Sequence, residues 1–139
     1  MNEETLLPIL IKRSARLLDR EIDALLKSHG IARSQYRVLY YVAERGELTQ
    51  TELAGLLEVE AATLTRLVDA LVKKGWLVRL RDEQDQRLKR IRLTAEGKRK
   101  FKNIPPPAEA LYKAIQTQLD PKSIEALRDS LLTIIKQFT

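Results

Sequence analysis

The stretch Glu60 to Lys74, "EAATLTRLVDALVKK", has two unlike sides. Wound as a helix at about 100° per residue, it places Leu64, Leu67, Val68, Leu71 and Val72 together. The opposite side holds Ala62, Arg66, Asp69 and Lys73, flanked by Thr63, Thr65 and Ala70. Its N-terminal half is small and hydrogen-bonding: Ala61, Ala62, Thr63 and Thr65, with Arg66 as the one long donor. Small residues permit close approach to a DNA major groove, threonine can meet phosphates or thymine methyls, and arginine can pair with guanine O6 and N7. A solvated helix can show the same face, so this helix alone does not separate the two.

A second feature does. "RLRDEQDQRLKRIRLTAEGKRKFK", Arg79 to Lys102, holds ten basic and four acidic residues, a net +6. The whole chain is also +6, because the residues before this segment carry eleven charges of each sign and those after it four of each. A concentrated positive segment is suited to a polyanion, with DNA phosphates the first to consider.

Other chemistries find little to build on. Without cysteine there are no disulfides, no thiolate catalysis, no Cys-ligated zinc and no thiol-based oxidation sensing. The one histidine, His29, makes a histidine-rich metal site impossible within the chain, and its place at a helix end suits a cation against the dipole. No carboxylate cluster stands beside a nucleophile, so the chain is not expected to be an enzyme, nor to need a cofactor or metal. The N-terminus "MNEETLLPILIKRSARLL" starts acidic and is interrupted by Lys12 and Arg13. It reads as neither signal peptide nor membrane span, and a cytoplasmic location is expected.

The elements that would position these residues follow from periodicity. "ETLLPILIKRSARLLDREIDALLKSHG" is a long amphipathic helix, with Pro8 near its start and Gly30 at its end. "SQYRVLYYVAERG" is a second, with Ser34 as its N-cap and Gly46 as its stop. In "TQTELAGLL", Thr49 and Glu52 form a Thr-x-x-Glu capping box. The helix Glu60–Lys74 then ends at Gly75. Next, "WLVRLR" and "KRIRLT" read as two strands of a hairpin around the polar turn "DEQDQR". A further helix meets Pro105, Pro106 and Pro107, which must break it, and two helices close the chain, the last capped by Asp120 with Pro121 at its first position.

Two short helices in tandem followed by a basic hairpin make a winged helix-turn-helix. The predicted fold is mainly α with a small β-hairpin wing, flanked by N- and C-terminal dimerisation helices. Its parts are residues 1–30, 31–97 and 98–139 within one compact domain. Arg79, Arg81, Arg87, Lys89, Arg90 and Arg92 would meet phosphates or, in one case, the minor-groove floor. Thr49, Gln50 and Lys73 join the expected DNA contacts. Asp85 has the wrong charge for DNA, so its expected task is to pair with a neighbouring arginine and hold the turn.

Val59 to Gly97 resembles the recognition helix and wing of the MarR family (multiple antibiotic resistance regulators). The pattern is carried by Thr65 and Arg66; Lys74, Gly75 and Arg79; Asp85 and Arg87; and Leu93, Thr94 and Gly97. The resemblance implies a homodimeric transcription regulator, a repressor in type, on pseudo-palindromic double-stranded operators. It implies that Arg87 enters the minor groove while Asp85 braces the wing through basic neighbours such as Arg79. It further implies a small aromatic or phenolic effector, for which Arg13 or Arg16 could hold a carboxylate and Tyr36, Tyr40 or Tyr41 a ring; solvated arginines and core-edge tyrosines would give the same residues. The chain departs from the pattern at Glu83, where the wing often has proline, at Glu60, a poor N-cap, and at the proline triplet in the path of the dimerisation helix.

Apolar faces independently suggest a dimer. Leu6, Leu10, Leu17, Ile124, Leu127, Leu131, Ile134, Ile135 and Phe138 exceed what a small winged domain can cover and could bury each other across a two-fold axis. An intrachain bundle would use the same pattern. The competing function is a winged-helix protein-interaction module without DNA binding; it needs neither a preference for duplex nor an outward Arg66.

Overall fold

The computed structural model describes residue 2 and residues 5–139. Glu4, at the start of the expected first helix, lies outside them. Helix α1 (Leu7–Lys27) ends in a left-handed turn at Gly30 (φ 73°), where the N–H groups of Gly30 and Ile31 return to the carbonyls of Lys27 and Leu26. Helix α2 (Arg33–Arg45) follows at once. Its N-cap is Ala32 and not the expected Ser34, because Gln35 Oε1 accepts the Ala32 N–H at 3.2 Å and lets the helix begin earlier.

Strand β1 (Glu47–Thr49) has no counterpart in the sequence prediction. It pairs antiparallel with β3 (Lys89–Leu93), which also pairs with β2 (Leu77–Arg81). The predicted hairpin is thus part of a three-stranded sheet of order β1-β3-β2. Three residues are too few to show a period, which is why β1 is invisible in the sequence.

Thr49 Oγ1 accepts the Glu52 N–H at 3.1 Å to start helix α3 (Gln50–Leu57). Among the described residues only this half of the expected capping box forms. Helix α4 (Ala61–Lys73) starts at Glu60 with no side-chain cap, in keeping with the poor cap predicted there. It ends in a second left-handed turn at Gly75 (φ 81°), with Gly75 and Trp76 N–H groups donating to Val72 and Leu71. Helix α5 (Ala95–Asn103) stops before the prolines, α6 (Pro107–Gln116) begins on the last of them, and α7 (Pro121–Gln137) completes the chain. Asp120 Oδ1 accepts the Ser123 N–H at 2.7 Å, which holds the Asp120 carboxyl below its ordinary range.

The chain divides into two compact units, one of residues 23–104 and one of residues 1–22 with 105–139. These boundaries differ from the predicted breaks after residues 30 and 97. The last turn of α1 belongs with the winged unit because Leu26 is fully buried in its core, and α5 belongs there through Gly97 and Phe101. That core is built from Leu39, Val42, Leu53, Leu64, Val68, Leu71, Leu77 and Ile91, all fully buried. Among its described residues the other unit, from α1, α6 and α7, has no large hydrophobic residue in the buried core.

One contact fixes the entrance to α5. Thr94 Oγ1 donates to the Gly75 carbonyl at 2.6 Å and accepts the Gly97 N–H at 2.9 Å, while the Thr94 N–H donates to Trp76 O at 3.0 Å. Gly97 then lies so close to Trp76 that a Cβ would stand 2.8 Å from its carbonyl carbon and nearer still to the oxygen. Backbone on backbone cannot relax like a side-chain tip. Gly97→Ala should therefore destabilise the protein by more than about 2 kcal/mol in denaturant unfolding. A loss within about 0.5 kcal/mol, the range of ordinary surface changes, would refute this packing.

Candidate nucleic-acid interface

On α4, Leu64, Val68 and Leu71 are buried, while Ala61, Ala62, Arg66, Asp69 and Lys73 are exposed and Thr63 and Thr65 lie between. The helix turns as its sequence predicts, since only the apolar side can leave water without loss. Thr65 donates its hydroxyl to the Ala61 carbonyl at 2.9 Å. Among the described residues the Arg66 side chain makes no hydrogen bond or ion pair. A helix face of two alanines, two threonines and an unengaged arginine can enter a groove and hydrogen-bond to base edges.

The wing sorts its arginines into held and free. Register puts Arg79 opposite Ile91, and Ile91 opposite Leu48. Directly paired residues point to the same face, so Arg79 lies on the core side of the sheet. There its Nε donates to Gln50 Oε1 and its Nη2 to Asp69 Oδ1, each at 2.7 Å. Arg90, on the other face, reaches Asp82 at 3.4 Å and Glu47 at 3.5 Å. Arg81, Lys89 and Arg92 have no side-chain partner among the described residues and remain available to phosphates.

At the tip, Asp85 takes Arg87 as its partner. Arg87 Nε and Nη2 donate to the two Asp85 carboxylate oxygens at 3.1 and 3.3 Å, and the Arg87 N–H adds a third bond at 3.0 Å. These bonds, the side-chain pair first, pull the Asp85 carboxyl below its ordinary range. Bracing of Asp85 through Arg79 is therefore corrected: Arg79 is engaged elsewhere. The turn itself is held by a residue not singled out in the sequence, Asp82, whose Oδ2 accepts the Gln84 and Asp85 N–H groups at 3.2 and 2.9 Å. Aspartate accepting the amides two and three residues on is a common turn device, and this is the signal that marks it. The Arg87 side chain, in the loop between β2 and β3, is 90% exposed.

Two other expected contacts have internal duties. Thr49 is 5% exposed with its hydroxyl capping α3, which removes it as a ready DNA contact. Gln50 is engaged by Arg79. The excess charge, moreover, is not confined to the wing. Lys98, Arg99, Lys100 and Lys102, all exposed on α5, carry half of it after subtraction of Glu96. The effector candidates divide between the units: Arg13 and Arg16 lie exposed on α1, whereas on α2 Tyr40 is exposed and Tyr36 half-buried. The Tyr36 ring is covered by Phe101 (centroids 5.6 Å apart), and burial, with Tyr40 adding to it, pushes its hydroxyl pKa upward. Tyr40 stands edge-on to Tyr41 at 5.5 Å.

The MarR family model matches residues 31–89. An HTH-type transcriptional regulator of Bacillus subtilis, YwoH, itself uncharacterized, is 38% identical over 94 residues, which is 68% of each chain. The chain belongs to the MarR family of transcriptional regulators. Another HTH-type regulator, FarR of Neisseria gonorrhoeae, is 30% identical over 112 residues, 81% of this chain and 77% of that one. Among solved structures, a variant of E. coli MarR complexed with operator DNA superposes with a TM-score of 0.81 at 28% identity, covering 96% of both chains. The S. aureus MepR–DNA complex shares the MarR-family fold, with a TM-score of 0.82 at 23% identity over 95% of this chain and 98% of that one. Among the described residues no helix is long and apolar enough to cross a membrane.

The tip pair has a pH signature. A carboxyl whose pKa is lowered by folding adds stability above its unfolded pKa, and that stability is lost as pH falls through the lowered value. The Asp85 carboxylate resonance in NMR should titrate at lower pH in the wild type than in Arg87→Ala. Identical midpoints would show that the pair does not persist in solution.

Proposed function

We propose that this protein is a sequence-specific double-stranded DNA-binding regulator that acts as a homodimer on a pseudo-palindromic operator and represses transcription. The observation that carries the reading is the outward face of α4, with small residues around an unengaged Arg66, together with a wing whose loop presents Arg87 almost fully exposed. Ala61, Ala62, Thr63, Thr65 and Arg66 read the major groove. Arg81, Lys89, Arg92 and Lys73 meet phosphates, and Arg87 reaches the minor groove, where a narrow A·T-rich segment deepens the negative potential. The operator-bound MarR relative supports the duplex as partner.

The dimer is supported by the apolar surface of the unit formed by α1, α6 and α7. Leu7, Leu10, Leu17, Leu127, Leu132, Ile135 and Phe138 are all exposed there, Leu7 at 61% and Phe138 at 79%. A second copy burying these faces removes them from water, and two wings can then read two half-sites. Relief of repression by a small aromatic or phenolic acid completes the reading.

A gel-shift with the protein's own upstream DNA, at two salt concentrations, tests the function. Binding that prefers this duplex to random DNA and weakens at higher salt is expected; equal affinity for both at either salt would favour the interaction-module alternative. A reporter driven by that upstream DNA should rise when the regulator is deleted and fall if the protein is an activator. Arg66→Ala should cost about 1–3 kcal/mol on the operator and much less on random duplex. Equal losses would demote Arg66 to a phosphate contact. Sedimentation equilibrium at micromolar concentration should give about twice the 16.0 kDa chain mass. A monomer there would remove the two-wing model.

A further inference from the structure

Arg79 carries one of the segment's positive charges, yet it is held on the inner side of the sheet. It sits on the core side of the sheet, opposite Ile91, with its side chain 23% exposed. Its guanidinium is divided between two helices. Nε is bonded to Gln50, the first residue of α3, and Nη2 to Asp69, in the middle of α4. The partners reach it from different elements, and both distances are 2.7 Å, short for such bonds. Asp69 meanwhile lies on the same broad face of α4 as Arg66, where a carboxylate facing DNA would repel it.

We propose that Arg79 and Asp69 form a positioning brace that sets the angle between the recognition helix α4, helix α3 and wing strand β2, and that Arg79 is not a phosphate contact. A guanidinium is suited to this because its planar donors leave in fixed, different directions. Asp69 is spared from repelling the duplex because its charge is matched by Arg79. The brace would act on specificity: a helix held at one angle delivers Thr63, Thr65 and Arg66 to fixed base positions, whereas non-specific binding needs only charge. This rests on the proposed DNA reading, so the test has one arm that needs DNA and one that does not.

The DNA-free arm is amide hydrogen exchange on the full chain. Arg79→Met should speed exchange several-fold within α4 and the first turn of α3, while Ile91 and other core amides stay unchanged. Uniform acceleration throughout, or none, would overturn the brace. The DNA arm measures binding to the operator and to random duplex across a salt series, for Arg79→Met, Arg79→Lys and Asp69→Asn. Arg79→Met and Asp69→Asn should each weaken operator binding about two- to fivefold, the size of a partly exposed charged pair, and leave the salt slope of Asp69→Asn unchanged. Arg79→Lys, with a point charge in place of two aimed donors, should recover only part of the loss. Asp69→Asn in the Arg79→Met background should add almost nothing, since the two act as one unit. If instead Asp69→Asn tightens both duplexes, and Arg79→Met lowers the salt slope by about one phosphate equivalent, Arg79 is a backbone contact and the proposal is wrong. A wild-type protein with no duplex preference would fail the DNA reading while the exchange result still decides the brace.

Discussion

The junction of Gly75, Trp76, Thr94 and Gly97 is the constraint on which the winged unit depends. Four elements meet there: α4 ends at the left-handed Gly75, β2 leaves just after Trp76, β3 returns at Leu93, and α5 starts from Thr94. Thr94 satisfies backbone groups on both sides, and Gly97 has no side chain, so α5 can lie directly on the Trp76 carbonyl. Were this closure loose, the sheet would still form, but its direction relative to α4 would not be set. Lys74 adds to it from outside, its ammonium 4.9 Å from the Trp76 ring centre and bonded to Gly30 O at 2.5 Å, which ties the end of α1 to the same place.

Around that junction, charge is arranged by engagement and not only by sign. Arg79, Arg87 and Arg90 each have a carboxylate partner, whereas Arg66, Arg81, Lys89 and Arg92 have none among the described residues. Paired guanidiniums keep directions; unpaired ones supply attraction. Surface ion pairs contribute little to stability, about 0–1 kcal/mol, so these are better understood as setting geometry than as holding the fold. Arg87 is the intermediate case, positioned by Asp85 yet fully presented to solvent. On the proposed function, a pre-aimed arginine loses less side-chain freedom when it enters a groove than an unrestrained one.

Much of this was legible in the residues. Helix stops at Gly30, Gly46 and Gly75 were readable because only a few residues accept positive φ, and the proline triplet because it cannot continue a helix. The two sides of α4 followed from spacing alone. What stayed hidden depended on contacts distant in sequence. β1 is too short to show alternation, and its existence is decided by β3, more than forty residues on. Arg79 and Arg81 look alike in the sequence and share one face of β2; only the fold reveals that Arg79 is held by Gln50 and Asp69 while Arg81, at the strand end, stays exposed. Asp82 and Asp85 are equally plausible as turn holders until the backbone places Asp82 beneath two amides. Ser34 lost its cap role to Gln35 reaching back, a choice between local bonds of similar strength.

The central claim is that α4 and the wing are presented together, one to a major groove and the other to the minor groove beside it. Methylation interference addresses both at once, because dimethyl sulfate modifies guanine N7 in the major groove and adenine N3 in the minor groove, and both are acceptors on the groove floors. On the operator, this account expects interference at guanine N7 within each half-site and at adenine N3 in the flanking A·T pairs, with the adenine effect alone disappearing in Arg87→Ala. Interference at neither position, with binding abolished only by phosphate modification, would contradict it.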